Sequence, residues 1–301
     1  MWSRLVDSTA PAERVAAFRM CVGVFVLLYL AIRVPVFWDL ATRSGTTFDG
    51  VGLFGWRDTP LPVSMIRTTV VVAFVSGVGM TIGYRFRATA PVFALAMLLL
   101  TTYRSSWGQL LHFENLFTLH LVLLAVSPAA DAWSLDARRG TIARREATTY
   151  GLVMQVACVM VVVTYVIAGI AKLRIGGAEW MFGDTLRNHI SYSAVRLELL
   201  GGDGSPLAGV VVRNAWILPP MAIGSVIVEL SAPIALLGGR WRNGWVAAAW
   251  FMHLAIYALM LVGFPYPLFL IAFTPFFPLE RVRDIDLRRW LPVQRQSAHS
   301  P

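Results

Sequence analysis

Charged residues are scarce in this chain of 301 residues, in which Asp, Glu, Lys and Arg together make up only 14%. Soluble domains carry about a quarter charged residues. Hydrophobic residues reach 57%, and the mean hydropathy is +0.63. The deficit of charge recurs along the whole length, so it excludes a soluble domain of useful size and indicates a polytopic integral membrane protein.

Cysteine and lysine are almost absent. Cys21 and Cys158 both lie inside apolar runs, so we expect neither a disulfide framework nor a cysteine metal site. Lys172 is the single lysine among basic residues that are otherwise arginines. A lone lysine in such a background is a candidate for a chemical role, with chance as the alternative.

The net charge of +9 does not indicate a nucleic-acid partner. The basic residues form short clusters between apolar runs, not one continuous stripe. Such clusters are typical of cytoplasmic anchors beside an anionic leaflet. We therefore expect the lipid bilayer as the partner of this surface, and no nucleic acid.

Eight apolar segments approach the length of about 20 residues that a crossing helix needs. They are residues 15–34, 67–83, 89–103, 112–129, 150–171, 215–238, 244–262 and 264–279. The third and eighth are short, so seven spans with one re-entrant segment is the alternative. The sequence predicts an all-α, polytopic transmembrane helix bundle of about eight spans over residues 1–285, followed by a short, disordered cytoplasmic tail at 286–301.

The arginines predict the orientation of the bundle. With eight crossings, segments 84–88, 130–149 and 239–243 share one side with both ends of the chain, and all of them are rich in arginine. The opposite side carries loops 35–66 and 172–214, which have fewer basic residues for their length. The positive-inside rule then predicts cytoplasmic termini for a multi-pass protein of the cell membrane.

Ionisable residues inside the predicted spans are candidates for function, because a charge there costs about 2.5–3.5 kcal/mol on insertion scales. Glu229 lies near the middle of the sixth span. We expect it to be protonated or paired with a cation. His253 lies midway along the seventh span and could relay protons or bind a quinone oxygen. The alternative is that both residues serve packing only.

Three polar residues are predicted to meet near the outer leaflet. Lys172 closes the fifth span, while His112 and Asn115 share one face at the outer end of the fourth. The tryptophan-bearing loops 35–66 and 172–214 would cover this level. A desolvated amine there could act as a neutral base, and the alternative is a lysine that snorkels to the headgroups.

No metal site is predicted from the histidines. His112 and His120 lie about 12 Å apart along a helix, and the segment does not read His-Glu-x-x-His. Glu114, between them, is interpreted as a solvated or interfacial residue at the helix mouth. A haem-containing quinone reductase would need a facing pair of axial histidines, for which His120 and His253 are the candidates.

Four short stretches, taken in order, resemble the HTTM (horizontally transferred transmembrane) domain family, whose best-known relative is the vitamin K-dependent gamma-carboxylase. They are His112-Phe113-Glu114-Asn115-Leu116, Trp133-Ser134-Leu135-Asp136-Ala137, Tyr165-Val166-Ile167-Ala168-Gly169-Ile170-Ala171-Lys172-Leu173 and Glu229-Leu230-Ser231-Ala232-Pro233. Together with Trp180, Gly183, His253 and Phe264, they cover most of residues 12–285. The resemblance therefore supports the fold, and it implies a chemistry as an expectation.

The resemblance implies two catalytic residues. In the carboxylase, a lysine at the end of such a Tyr-x-x-Ala-Gly-x-x-Lys-Leu segment deprotonates vitamin K hydroquinone, and Lys172 matches that position. A histidine before the Trp-Ser-x-Asp motif assists carboxylation there. His112 is the nearest match, and Asn115 is a competing one.

Further residues fall where the resemblance implies contact with substrate or quinol, namely Asn115, Tyr165, Trp180 and His253. Glu229 and His253 would relay protons or order the core. The implied cofactor is a reduced naphthoquinone of the vitamin K or menaquinol type, without a metal. The implied activity is that of a quinol-dependent carboxylase, a lyase, or of an oxygenase with epoxidase-like chemistry.

The carboxylase continues into a large extramembrane region that binds its protein substrate, whereas this chain ends soon after the eighth predicted span. A protein substrate would then be a separate partner. The alternative from another functional class is a non-catalytic membrane subunit, a lipid-binding scaffold or a transporter-like protein. In that case Glu229, His253 and Lys172 would be packing or solute-pathway residues.

Overall fold

The computed structural model describes residues 9–109, 112–140 and 143–284. Helices account for 78% of the structure, and no strand occurs in these ranges. The all-α prediction is thereby confirmed. The tail predicted at 286–301 lies outside the described residues.

Twelve α-helices follow one another along the described ranges. They are α1 (Ala12–Thr42), α2 (Val63–Ile82), α3 (Phe86–Ser105), α4 (Asn115–Ala125), α5 (Leu135–Arg138), α6 (Ala147–Ala171), α7 (Gly177–Phe182), α8 (Thr185–Leu199), α9 (Pro206–Arg213), α10 (Leu218–Leu230), α11 (Gly239–Met260) and α12 (Pro265–Leu268). Between them lie 3₁₀ turns at Gly45–Thr47, Gly52–Phe54, His112–Glu114, Ala215–Ile217, Ala232–Leu237, Ile271–Phe276 and Leu279–Asp284, and one π-helical turn at Lys172–Gly176.

Five helical stretches are long and apolar enough to cross a membrane: α1, α2, α3, α11 and the run Ala147–Phe182 that contains α6 and α7. Helix α9 and the stretch Ala215–Leu230, which contains α10, meet at 91° and together would make a sixth. The chain is therefore built as a multi-pass membrane protein. The count of about eight spans stays a prediction.

Two of the expected spans differ in the structure. Segment 112–129 contains only α4, whose 11 residues reach about 17 Å, against a hydrocarbon core of about 30 Å. Segment 264–279 contains the four-residue α12 and a 3₁₀ turn. Pro275 interrupts the second half of segment 264–279, because proline lacks the N–H that a longer helix needs there.

Segment 172–214, expected to be a loop, is largely helical and forms α7, α8 and α9. A small core of Ile190, Ala208, Leu218 and Leu259 packs α8 and α9 against α10 and α11. Much of the remaining surface of these short helices is exposed. These helices have 6, 15 and 8 residues, so none reaches the length of about 20 residues by which a crossing helix is recognised.

Arg19, on α1, is fully buried at 0% exposure. Its guanidinium donates to the carbonyl oxygens of Thr81 (3.3 Å), Ala129, Ala132 (3.3 Å) and Trp133 (2.6 Å). A buried charge is tolerated only when its donors are satisfied. This one side chain therefore joins α1 to the end of α2 and to the segment that follows α4.

The Trp-Ser-Leu-Asp motif begins at Trp133, which is one of these acceptors, and two of its side chains cap helices. Ser134 Oγ accepts a hydrogen bond from a backbone N–H of α5 at 2.8 Å. The Asp136 carboxylate accepts from the backbone N–H groups of Arg85 (2.9 Å) and Phe86 (2.8 Å), where α3 begins. Gly83 ends α2 with a φ of 65°, which glycine adopts readily. This part of the family motif therefore has a structural role.

We predict that Arg19→Met lowers the free energy of unfolding by at least about 3 kcal/mol, because four buried carbonyls lose a charged donor and such bonds contribute about 1.5–3 kcal/mol each. The measurement is the thermal unfolding of purified protein in one detergent. Arg87→Met is the matched control, since Arg87 is an exposed arginine. Equal unfolding temperatures for the two variants would contradict this role.

Candidate functional site

A mostly apolar cavity of about 360 Å³ lies between α6, α10 and α11, at one end of the helix bundle. Six of the seven predicted site residues line it: His112, Tyr165, Lys172, Trp180, Glu229 and His253. These residues come from segments far apart in sequence. The fold therefore gathers them into one concave site of the size that binds small ligands.

Asn115, the seventh predicted residue, does not line the cavity and is exposed. The expectation that it shares a face with His112 assumed one continuous α-helix. Instead, His112–Glu114 is a 3₁₀ turn, and α4 begins at Asn115. The tighter turn has about three residues per turn, so it changes the direction in which Asn115 projects. Of the two candidates, only His112 lines the cavity.

Lys172 and Glu229 form an ion pair across the cavity wall. Lys172 Nζ lies 2.7 Å from Glu229 Oε1 and 3.3 Å from Ser225 Oγ. The two charged side chains are 19% and 7% exposed. Glu229 is thus paired with a cation, which was one of the two expectations for it. The Lys172 side chain contacts α10 and does not only extend toward the headgroups.

The segment around Trp180 covers this ion pair. Lys172 Nζ lies 4.9 Å from the centre of the Trp180 ring, a cation–π distance. The Trp180 and His189 rings are 5.7 Å apart, and both side chains line the cavity. Of the two loops expected to cover the site, 172–214 therefore does so, whereas no residue of 35–66 lines the cavity.

The local backbone explains how the two charged residues meet. Lys172 opens the wide π-helical turn that ends α6, and such turns are frequent at functional sites. One turn earlier, Gly169 faces α10. A Cβ atom at Gly169 would lie 2.8 Å from Leu230 Cδ2 and 3.1 Å from Glu229 Cβ. The missing side chain of Gly169 thus lets α6 and α10 approach closely enough for the ion pair.

Three polar atoms of the cavity-lining residues are buried without a hydrogen-bond partner: Glu229 Oε2, Trp180 Nε1 and His253 Nδ1. Buried polar groups in folded proteins are normally paired. The set contains an acceptor on Glu229, a donor on Trp180 and a ring nitrogen of His253 that can do either. A ligand with hydroxyl groups and an apolar body supplies both the donors and the acceptors that such a set lacks, so the chemistry of the residues present fits a quinol.

Two tyrosine–histidine pairs lie at the cavity wall. Tyr165 Oη and His253 Nε2 are 2.8 Å apart. Tyr266, which also lines the cavity, has its Oη 2.6 Å from His120 Nδ1, and His120 Nε2 lies 3.3 Å from the Ala157 carbonyl. Both ring nitrogens of His120 are thus engaged, which leaves neither for the axial haem role considered above.

Glu114 is not solvated, and that interpretation is wrong. It is 1% exposed, and its carboxylate accepts hydrogen bonds from the Tyr29 hydroxyl and the Arg104 guanidinium. Arg104 Nη1 also donates to Tyr29 Oη at 2.6 Å. The two partners are on other helices, so spacing along the sequence could not reveal them. Phe113, which packs on Tyr29, separates this cluster from the cavity.

A larger cleft of about 990 Å³ lies at the opposite end of α4, beside α5. Two of its charged groups are already paired: Asp131 accepts from Tyr150 Oη at 2.7 Å, and Arg144 contacts Glu13 at 2.6 Å. None of the buried unpartnered atoms found in the described chain belongs to it. The smaller cavity is therefore the better candidate for chemistry.

Some residues that line the cavity were not predicted from the sequence, among them Ser225 and Tyr266. Ser225 lies four residues before Glu229, so the two share a helix face, and that spacing could have indicated it. Tyr266 had no such signal, because its partner is far away in sequence. Within the described ranges, no group of three or more His, Cys, Asp or Glu residues could hold a metal ion.

We predict that Gly169→Ala lowers stability by about 1–3 kcal/mol, because the added methyl overpacks the contact between α6 and α10. Gly224→Ala is the matched control on α10, since a Cβ there meets no atom within 4 Å. Thermal unfolding in the same lipid nanodiscs would compare the two. Equal stability would mean that the close approach at Gly169 is not needed.

Comparisons with known proteins bear on the fold as a whole. No curated protein and no solved structure matched the chain. The family profile described as HTTM domain matches residues 8–280, which include every helix described above. The match thus extends over far more than half of the sequence, including the cavity and the capped motif at the other end. The chain belongs to the HTTM domain family.

Proposed function

We propose that the chain crosses the cell membrane about eight times, with both termini in the cytoplasm and the cavity facing the outer leaflet. The arginine-rich segments 84–88, 130–149 and 239–243 support this orientation. The cavity includes Lys172, at the end of α6 that is remote from segment 130–149. The cavity would then open at the level of the outer leaflet.

We further propose that the cavity binds a membrane quinol, a reduced naphthoquinone of the vitamin K or menaquinol type. The observation that carries the proposal is the apolar cavity with three buried, unpartnered polar atoms beside an ion pair. A quinol has an apolar ring and tail for the cavity and two hydroxyls for the polar atoms. Such a ligand reaches the site through the lipid.

The bound quinol would supply reducing equivalents for a reaction with oxygen. The residues of the chain would bind it, exclude water and take up its hydroxyl proton. Trp180 Nε1 and His253 Nδ1 would hold the quinol oxygens, because they are buried without partners, and His112 lines the cavity wall. The Lys172–Glu229 pair is the proton-accepting unit, with Lys172 as the residue that the family resemblance assigns as the base.

The activity proposed on this basis is that of a quinol-dependent oxygenase or carboxylase. In the second case a separate protein would be the substrate. The family membership supports the fold of such an enzyme, and the cavity residues support the quinol site.

The test is a binding and turnover experiment in lipid nanodiscs. We expect wild-type protein to bind a reduced menaquinone analogue without oxygen and to form an oxygenated product once oxygen is added. Lys172→Ala should form this product at least about 100-fold more slowly, because it breaks the Lys172–Glu229 pair that accepts the proton, and proton transfer by a placed group contributes about 10²–10⁴-fold. Mass spectrometry identifies the product. Arg174→Ala is the control, as an exposed basic residue in the same π-helical turn.

If neither wild type nor variant binds the quinol or forms product, the non-catalytic alternative replaces this proposal. A buried ion pair between two helices also suits a solute pathway. In that case Glu229→Gln would abolish uptake of a solute by proteoliposomes.

A further inference from the structure

The amine of Lys172 has acceptors on three sides. They are Glu229 Oε1 at 2.7 Å, Ser225 Oγ at 3.3 Å and the Trp180 ring, whose centre is 4.9 Å away. Ser225 Oγ itself donates to the carbonyl of Ala222 at 2.8 Å, so its lone pairs face Lys172. An ammonium has three N–H donors and no acceptor. The surroundings of Lys172 thus suit the charged form, which has no lone pair for another proton.

Only one of the two carboxylate oxygens of Glu229 has a hydrogen-bond partner. Its Oε1 atom accepts from Lys172, whereas its Oε2 atom is buried, lacks a partner and belongs to a residue of the cavity wall. Among the described cavity residues it is the anionic oxygen without a donor. A hydroxyl group that donates to Oε2 therefore displaces no existing bond.

We propose that Glu229 Oε2 is the atom that accepts the quinol proton, and that Lys172 remains an ammonium that balances the charge. This assignment rests on the proposed function, namely that the cavity binds a quinol. In the step, the ligand O–H bond breaks and an O–H bond forms on Glu229. The electron pair stays on the ligand oxygen, and nothing is oxidised or reduced.

The charge balance of the cavity favours this division of roles. Before the step, the positive Lys172 faces the negative Glu229. Afterwards the same ammonium faces a neutral carboxylic acid and a negative ligand oxygen. One positive and one negative charge are present throughout, so no uncompensated charge is created in a medium where it would be costly.

The experiment separates the two residues by their chemistry. Arginine stays protonated, so Lys172→Arg keeps the balancing charge but cannot act as a base. Glutamine in Glu229→Gln keeps the shape but cannot accept the proton. We expect Lys172→Arg to oxidise the quinol within about 10-fold of wild type, and Glu229→Gln to be at least about 100-fold slower. The overturning result is the reverse, with Lys172→Arg inactive and Glu229→Gln active.

A second readout does not depend on turnover. Infrared difference spectra of wild-type protein in nanodiscs are recorded as a reduced menaquinone analogue binds without oxygen. We expect the C=O band of a protonated carboxylic acid to appear, to persist in Lys172→Arg and to be absent in Glu229→Gln. Glu179→Gln, an exposed acid on α7, is the control that keeps the band.

The outcomes are distinguishable. Binding of the quinol by wild type without the carboxylic acid band would overturn the Glu229 assignment and leave the proposed function standing. Absence of quinol binding by folded wild-type protein would overturn both. Thermal unfolding of each variant shows whether a loss of signal reflects the missing group or a misfolded chain.

Discussion

The guanidinium of Arg19 is the contact on which the order of the helix bundle depends. Hydrocarbon offers no water to a charged or polar group, so each such group must find its partner within the protein. Arg19 donates hydrogen bonds to four backbone carbonyls, one at the end of α2 and three in the segment after α4. That segment leads directly to Ser134 and Asp136, which cap α5 and α3. One buried cation thus fixes the relative positions of four helices.

The same constraint is met differently at the other end of the bundle. Lys172 and Glu229 neutralise one another, and Gly169 provides the close helix contact that this requires. However, the polar atoms there are not all satisfied: Glu229 Oε2, Trp180 Nε1 and His253 Nδ1 have no partners. Complete pairing at Arg19 is typical of a structural site. Incomplete pairing beside an apolar cavity is typical of a site that binds a ligand.

Much of the candidate site could be predicted from sequence, because charges in apolar segments are rare. Glu229 and His253 were found by that criterion and Lys172 as the single lysine of the chain, and the structure brings the three to one cavity. Residues whose position depends on helix boundaries or tertiary contacts could not be predicted. Asn115 does not line the cavity, because α4 begins at this residue and the turn before it is a 3₁₀ turn. Glu114 is buried by contacts with Tyr29 and Arg104 on other helices, which the sequence does not reveal. The helices of 172–214 have 15 residues or fewer, which is too short for the length criterion that identified the apolar spans.

The positions of Lys172 and Glu229 along the chain also have a consequence for biosynthesis. Lys172 precedes Glu229 in the chain and is therefore synthesised first. It lies in a long apolar helical stretch, and before α10 is made its amine can extend to the headgroup region. Helix α10 has only 13 residues, has prolines at its second and third positions and carries Glu229 near its end. It is therefore a weak substrate for membrane insertion by itself. Because α6 supplies the counter-charge for Glu229, we expect the later half of the protein to insert against the earlier half.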